Sequence, residues 1–170
     1  MTVFRDIKLL DAGPASEHSR YAAGIPHLVP MSSLDEEVTY YLARLRDGVG
    51  EDAFFGLIEA GPGAVPMLIA AFAIPENRAV RADLVRCVWE YRQPEALGFL
   101  AGALYDPEPA VWKTALDGIV TLGGSEAVRT LEAAHASLPA DQPRNGITAE
   151  WINEALDQLR EQAAEDTGRA

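Results

Sequence analysis

Few residues in this chain are of the types that do chemistry, and almost none share a spacing that lets them act together. Cys87 is the only cysteine. A nucleophilic thiolate needs a base at hand, and His135 falls on a different helical segment. Cys87 also flanks an apolar stripe, which is the setting of a buried, inert thiol. His18 and His27 lie in a stretch rich in Gly, Pro and Ser and read as surface histidines. No two histidines have metal-ligand spacing, and no second cysteine completes a set. Gly61-Pro62-Gly63 and Gly123-Gly124 lack the lysine and the serine or threonine of a phosphate loop, and read as helix stops.

What remains is recognition chemistry. Helical periodicity puts Arg81, Arg86, Trp112, Lys113, Asp117, Glu154 and Asp157 on the exposed ridge of three helices. Two arginines near a tryptophan suit an acidic or aromatic group. Trp89 and Trp151 flank apolar stripes and are expected in the core. No catalytic residue, metal or cofactor is read, so an enzyme is not the expected reading.

These residues are placed by a pattern written twice and begun a third time. Val65, Leu68, Ile69 and Phe72 precede a Pro75-Glu76-Asn77 break, then come Val80, Leu84, Val85 and Val88. A shift of 31 residues gives Ala96, Phe99, Leu100 and Ala103, then Val111, Ala115, Leu116 and Ile119. A second shift of the first half gives Ala127, Thr130, Leu131 and Ala134. Such a period marks stacked supersecondary units. Each unit is two short helices, neither able to bury its stripe alone. The expected class is all-α, an α-solenoid of antiparallel helix pairs.

Three regions are expected: an irregular arm over residues 1–32, the helical array over 33–162, and a frayed tail over 163–170. A capping box at Ser33 to Glu36 opens the first helix. The helix about Glu51 to Ala60 completes an atypical first pair. Ala64 to Ala73 and Arg78 to Arg92 form the next. Pro94 to Leu104 and Ala110 to Leu122 follow, with Pro109 at the start of the second helix and Asp106 near its positive end. Ser125 is expected to cap the helix from Glu126 to about Ser137. The last helix runs from about Thr148 to Gln162, in register after an insertion of about nine residues.

Charge narrows the partner. The formal net charge is −12. Residues 1–33 carry 3 basic and 3 acidic groups, residues 34–93 carry 6 and 10, and residues 94–170 carry 5 and 13. The imbalance therefore grows toward the C-terminus, the opposite of what phosphate binding asks. A basic partner is favoured and nucleic acid is not. One cysteine fits a reducing compartment. No signal peptide and no membrane-length apolar run is read, so a cytoplasmic location is expected.

Across roughly residues 51–160 the array resembles the HEAT repeat family, in particular short bacterial units of the phycobilisome-lyase type. Gly63-Ala64-Val65-Pro66-Met67-Leu68 opens one unit, and Leu104-Tyr105-Asp106-Pro107-Glu108-Pro109 turns the next. Val80-Arg81 is similar to the family's Val-Arg pair. One unit on, the pair is Val111-Trp112, which interrupts any ladder of Asp–Arg contacts. The resemblance implies that second helices line a concave face where a protein partner binds, as in an immunity or antitoxin protein against a basic toxin. It also implies an alternative, a lyase or isomerase for a bilin-type chromophore.

Overall fold

The computed structural model describes residues 32–138 and 146–169. The expected arm, apart from Ser32, lies outside them, as do His18 and His27. Regular structure among the described residues is helical throughout. The helices are α1 (Ser33–Arg46), α2 (Gly50–Glu59), α3 (Val65–Phe72), α4 (Arg81–Glu90), α5 (Ala96–Ala103), α6 (Pro109–Leu122), α7 (Gly124–Ser137) and α8 (Ala149–Arg169).

Local chemistry sets the ends. Ser32, one residue before the expected cap, closes α1: its hydroxyl accepts from the Asp35 N–H at 3.1 Å, and its own N–H donates to the Asp35 carboxylate at 2.8 Å. Both serines precede an acid by three residues, so the sequence alone left two registers open. Pro109 occupies the first turn of α6, where a missing N–H costs little. Asp106 accepts from the Glu108 N–H at 2.9 Å just before that turn. Ser125 makes no cap. Gly123, with φ of 65°, is the junction between α6 and α7, a left-handed conformation that glycine adopts readily. The expected start of α4 at Arg78 is instead a 3-10 stretch, Pro75–Val80, because Pro75 and the buried Asn77 hold a tighter turn. Asn77 donates from Nδ2 to the Ala71 carbonyl at 2.8 Å. At the other end, α8 continues to Arg169, through residues expected to fray.

Apolar stripes pair the helices. α1 packs on α2, α3 on α4, α5 on α6, and α7 on α8. The second helices also meet in a row, α2 on α4, α4 on α6 and α6 on α8, while α5 meets α7. The 31-residue shift reappears as burial. Val80 and Val111, Leu84 and Ala115, Val85 and Leu116, and Val88 and Ile119 are all core. Each large side chain so covered contributes about 1.5–3 kcal/mol.

The second helices approach their neighbours closely at one register. A Cβ on Gly56 would lie 2.2 Å from the Tyr41 ring, and one on Gly118 would lie 2.7 Å from Trp89. Cys87, halfway between these glycines in sequence, is fully buried. Small residues therefore recur at the period, and each α-helix uses the space to admit a neighbour. Gly118→Ala is expected to destabilise by about 1–3 kcal/mol through overpacking. Gly98→Ala on α5, where a Cβ meets nothing within 4 Å, is the control. Urea unfolding midpoints of the two variants check this.

A buried ion pair ties one unit to the next. Arg81, at the start of α4, reaches Asp106 in the turn between α5 and α6, with N–O at 2.5 Å. The Asp106 side chain is 1% exposed. The Arg81 guanidinium also stacks over Phe72, 4.0 Å from its centroid. The expected interruption of the ladder holds one unit on, where Trp112 stands in the arginine's register.

Candidate functional site

The seven ridge residues do not behave alike. Arg81 is taken by Asp106 and Phe72. Arg86 lies over Phe54 at 4.3 Å and reaches Glu90 at 3.9 Å. Neither arginine presents a free guanidinium. Trp112, expected on the exposed ridge, is 2% exposed. The reason is legible in the helix: Trp112, Ala115, Leu116 and Ile119 follow i, i+3, i+4, i+7 spacing and make one apolar face. Trp151 corrects the opposite expectation. It sits at the edge of the stripe formed by Ile152, Ala155, Leu156 and Leu159, and is 41% exposed. Trp89, expected in the core, is partly covered and packs against it.

Lys113, Asp117 and Glu154 come together. They line a cavity of about 280 Å³ between α6 and α8, floored by Leu116, Val120 and Ala155 and bounded by Trp151 and Gln158. The two tryptophans meet edge to face at 5.8 Å and 66°. The Lys113 ammonium rests near both rings, 5.5 Å from the centroid of Trp112 and 5.3 Å from that of Trp151. Burial pushes the Asp117 carboxyl above its ordinary value. Neither Asp117 nor Glu154 has an ion pair among the described residues.

Beside this cavity runs an open trough along α8, of about 600 Å³, lined by Glu150, Asn153, Glu154, Asp157, Gln158 and Glu161. Asp157 is bonded to Arg160 at 2.8 Å. Glu154 belongs to both depressions. The two therefore form a continuous acidic surface with an aromatic edge, made by the last two second helices.

Other chemistry is quiet. Among the described residues no group of three or more His, Cys, Asp and Glu is placed to hold a metal ion. The Cys87 thiol is pushed up to about 12, first by burial and then by Asp83, with Arg86 opposing. It stays protonated at neutral pH and is no nucleophile. Burial also raises the Tyr91 phenol to about 12, and its hydroxyl donates to the Leu57 carbonyl. Both groups ionise more easily when unfolded, near 9.0 and 10.0. The folded state therefore keeps their full contribution below pH 9.0 and loses it as pH rises toward about 12. Thermal melts across that window are expected to show falling stability, and Cys87→Ser is expected to soften the early part of the fall. Among the described residues, no single helix is long and apolar enough to cross a membrane.

No family model, curated protein or solved structure matches the chain.

Proposed function

We propose that the stacked pairs form a small HEAT-like α-solenoid, and that the face made by its second helices binds a basic protein without catalysing a reaction. The succession of α2, α4, α6 and α8 supports the first half. One observation carries the second: the cavity and trough on α6 and α8 combine unpaired carboxylates with an exposed tryptophan. Between residues 149 and 165, Arg160 is the sole cation, and it is already bonded to Asp157. Such a field raises the encounter rate with a cationic surface and selects against anionic ones. An immunity or antitoxin protein that covers a basic toxin is the narrower form of this reading.

A comparative capture tests it. Purified wild type and a variant with Glu150, Glu154, Asp157 and Glu161 all changed to glutamine are used as baits in lysate of the native cell. Retained proteins are then purified and titrated individually. The expected partner is basic, binds the wild type, is released by high salt, and is lost to the variant. Equal retention by both baits, or a partner that is itself acidic, contradicts the proposal.

A further inference from the structure

We propose that the cavity between α6 and α8 is a receptor for a single arginine side chain of the protein partner, with Lys113 holding the cation's place in its absence. This deepens the reading above and rests on it.

Size is the first argument. About 280 Å³ lies at the lower edge of the roughly 300–1,000 Å³ typical of small-molecule pockets. It fits one long side chain, and not a large planar cofactor. The lining supplies the second. Leu116, Val120 and Ala155 offer an apolar bed for a methylene stem, while Asp117 and Glu154 lie within the same wall. Trp151, exposed and at the rim, offers a ring face. An arginine uses all three at once: its stem buries, its planar head stacks on an indole, and its N–H fork meets carboxylates. A lysine ammonium has no plane to stack and is more strongly hydrated.

Lys113 supplies the third argument. Its ammonium lies between 5.3 and 5.5 Å from the two indole centroids, inside the reach of a cation–π attraction. The tryptophan pair thus already accommodates a cation. Yet Lys113 makes no ion pair with Asp117 or Glu154, so both carboxylates retain their acceptor capacity. The Asp117 carboxylate is partly desolvated, and an incoming guanidinium relieves it. On binding, Lys113 swings away from Trp151 toward solvent and the guanidinium takes the ring face. No bond is made or broken.

The test is a titration of the full-length, ¹⁵N-labelled protein with arginine blocked at both ends (Nα-acetyl-arginine amide), followed at the indole N–H signals. The Trp151 signal is assigned with Trp151→Phe. The blocked citrulline counterpart, the same shape without charge, is the control. Expected is a saturable shift of the Trp151 signal with arginine and none with citrulline. Asp117→Asn weakens binding by about tenfold. Lys113→Met, which keeps the chain length and removes the competing charge, tightens it severalfold. An anion site would lose affinity with that change. No saturable shift, an equal shift with citrulline, or weaker binding to Lys113→Met overturns the proposal. Unchanged amide spectra establish that each variant folds. The basic partner separates the two ideas. If it stays bound to Asp117→Asn and in excess blocked arginine, the arginine pocket fails and the acidic face stands. If the probe binds as expected but no basic partner is retained, the pocket stands and the broader reading fails.

Discussion

Arg81→Leu is expected to cost about 3–5 kcal/mol, because it leaves the Asp106 carboxylate buried without its counter-charge. Asp106 is 1% exposed on its side chain, and Arg81 approaches it at 2.5 Å. The penalty belongs to the stranded charge more than to the lost attraction. Asp106→Asn in the same chain therefore restores much of the stability. The asparagine carbonyl can still accept the Glu108 N–H, as Asp106 Oδ1 does at 2.9 Å. Urea midpoints of the two single variants and the double variant form a cycle. The expected order places the double variant above Arg81→Leu. If the double variant is as unstable as the sum of the singles, the pair is not coupled and this joint between units is misread.

Trp112→Ala has the other large effect, about 3–5 kcal/mol. Trp112 is 2% exposed and packs edge to face on Trp151. The Gly146 backbone also lies against it, since a Cβ there would sit 3.9 Å from the indole. Removing the ring opens a void at the joint between α6 and α8, which also frames the candidate site. Trp151→Ala, by contrast, removes a ring that is 41% exposed and is expected to leave the melting temperature almost unchanged. A surface tryptophan at 112 would produce equal, small losses at both positions. Calorimetric melts of the two variants decide between these outcomes.

The contrast between these tryptophans shows what the sequence could tell. The helices were legible because their stripes recur at 31 residues, and burial follows that shift at Val80 and Val111, and at Val88 and Ile119. Trp112 was misplaced because it was read by residue type, as half of an arginine–tryptophan ridge. Its spacing to Ala115, Leu116 and Ile119 already put it on the apolar face. Gly56 and Gly118, two periods apart, also carried a signal, since small residues at a fixed register mark close approach. The site itself was partly legible. Lys113, Asp117 and Glu154 were read as ridge residues and do line one cavity. Their convergence was not readable, because it depends on how α8 packs on α6 after an irregular connection. The role of Arg81 was missed for a related reason. The Asp–Arg pair joins residues 25 positions apart, and only the packing of α4 against the next turn brings them together. The start of α4 failed on local grounds, where the buried amide of Asn77 favours a 3-10 stretch over a continuous helix.

Function follows from what the fold leaves uncovered. The units consume their apolar faces in packing, and Arg81 and Arg86 are used within the array. What α6 and α8 still present is an aromatic rim, carboxylates and one lysine. The same surface explains why charge accumulates toward the C-terminus, since the residues from 94 onward carry 13 acidic and 5 basic groups.

Where a partner touches is the question that bears most directly on this account. A photo-crosslinking residue placed at position 151, on the acidic face, is compared with one at position 133, an exposed site on α7 that borders a separate depression with Ala101 and Tyr105. Each is irradiated with the purified basic partner at low salt, and the crosslinked product is quantified. Strong crosslinking from position 151 and little from 133 is the predicted result. Crosslinking from 133 with none from 151 would place the partner on the other side of the helices and contradict the account.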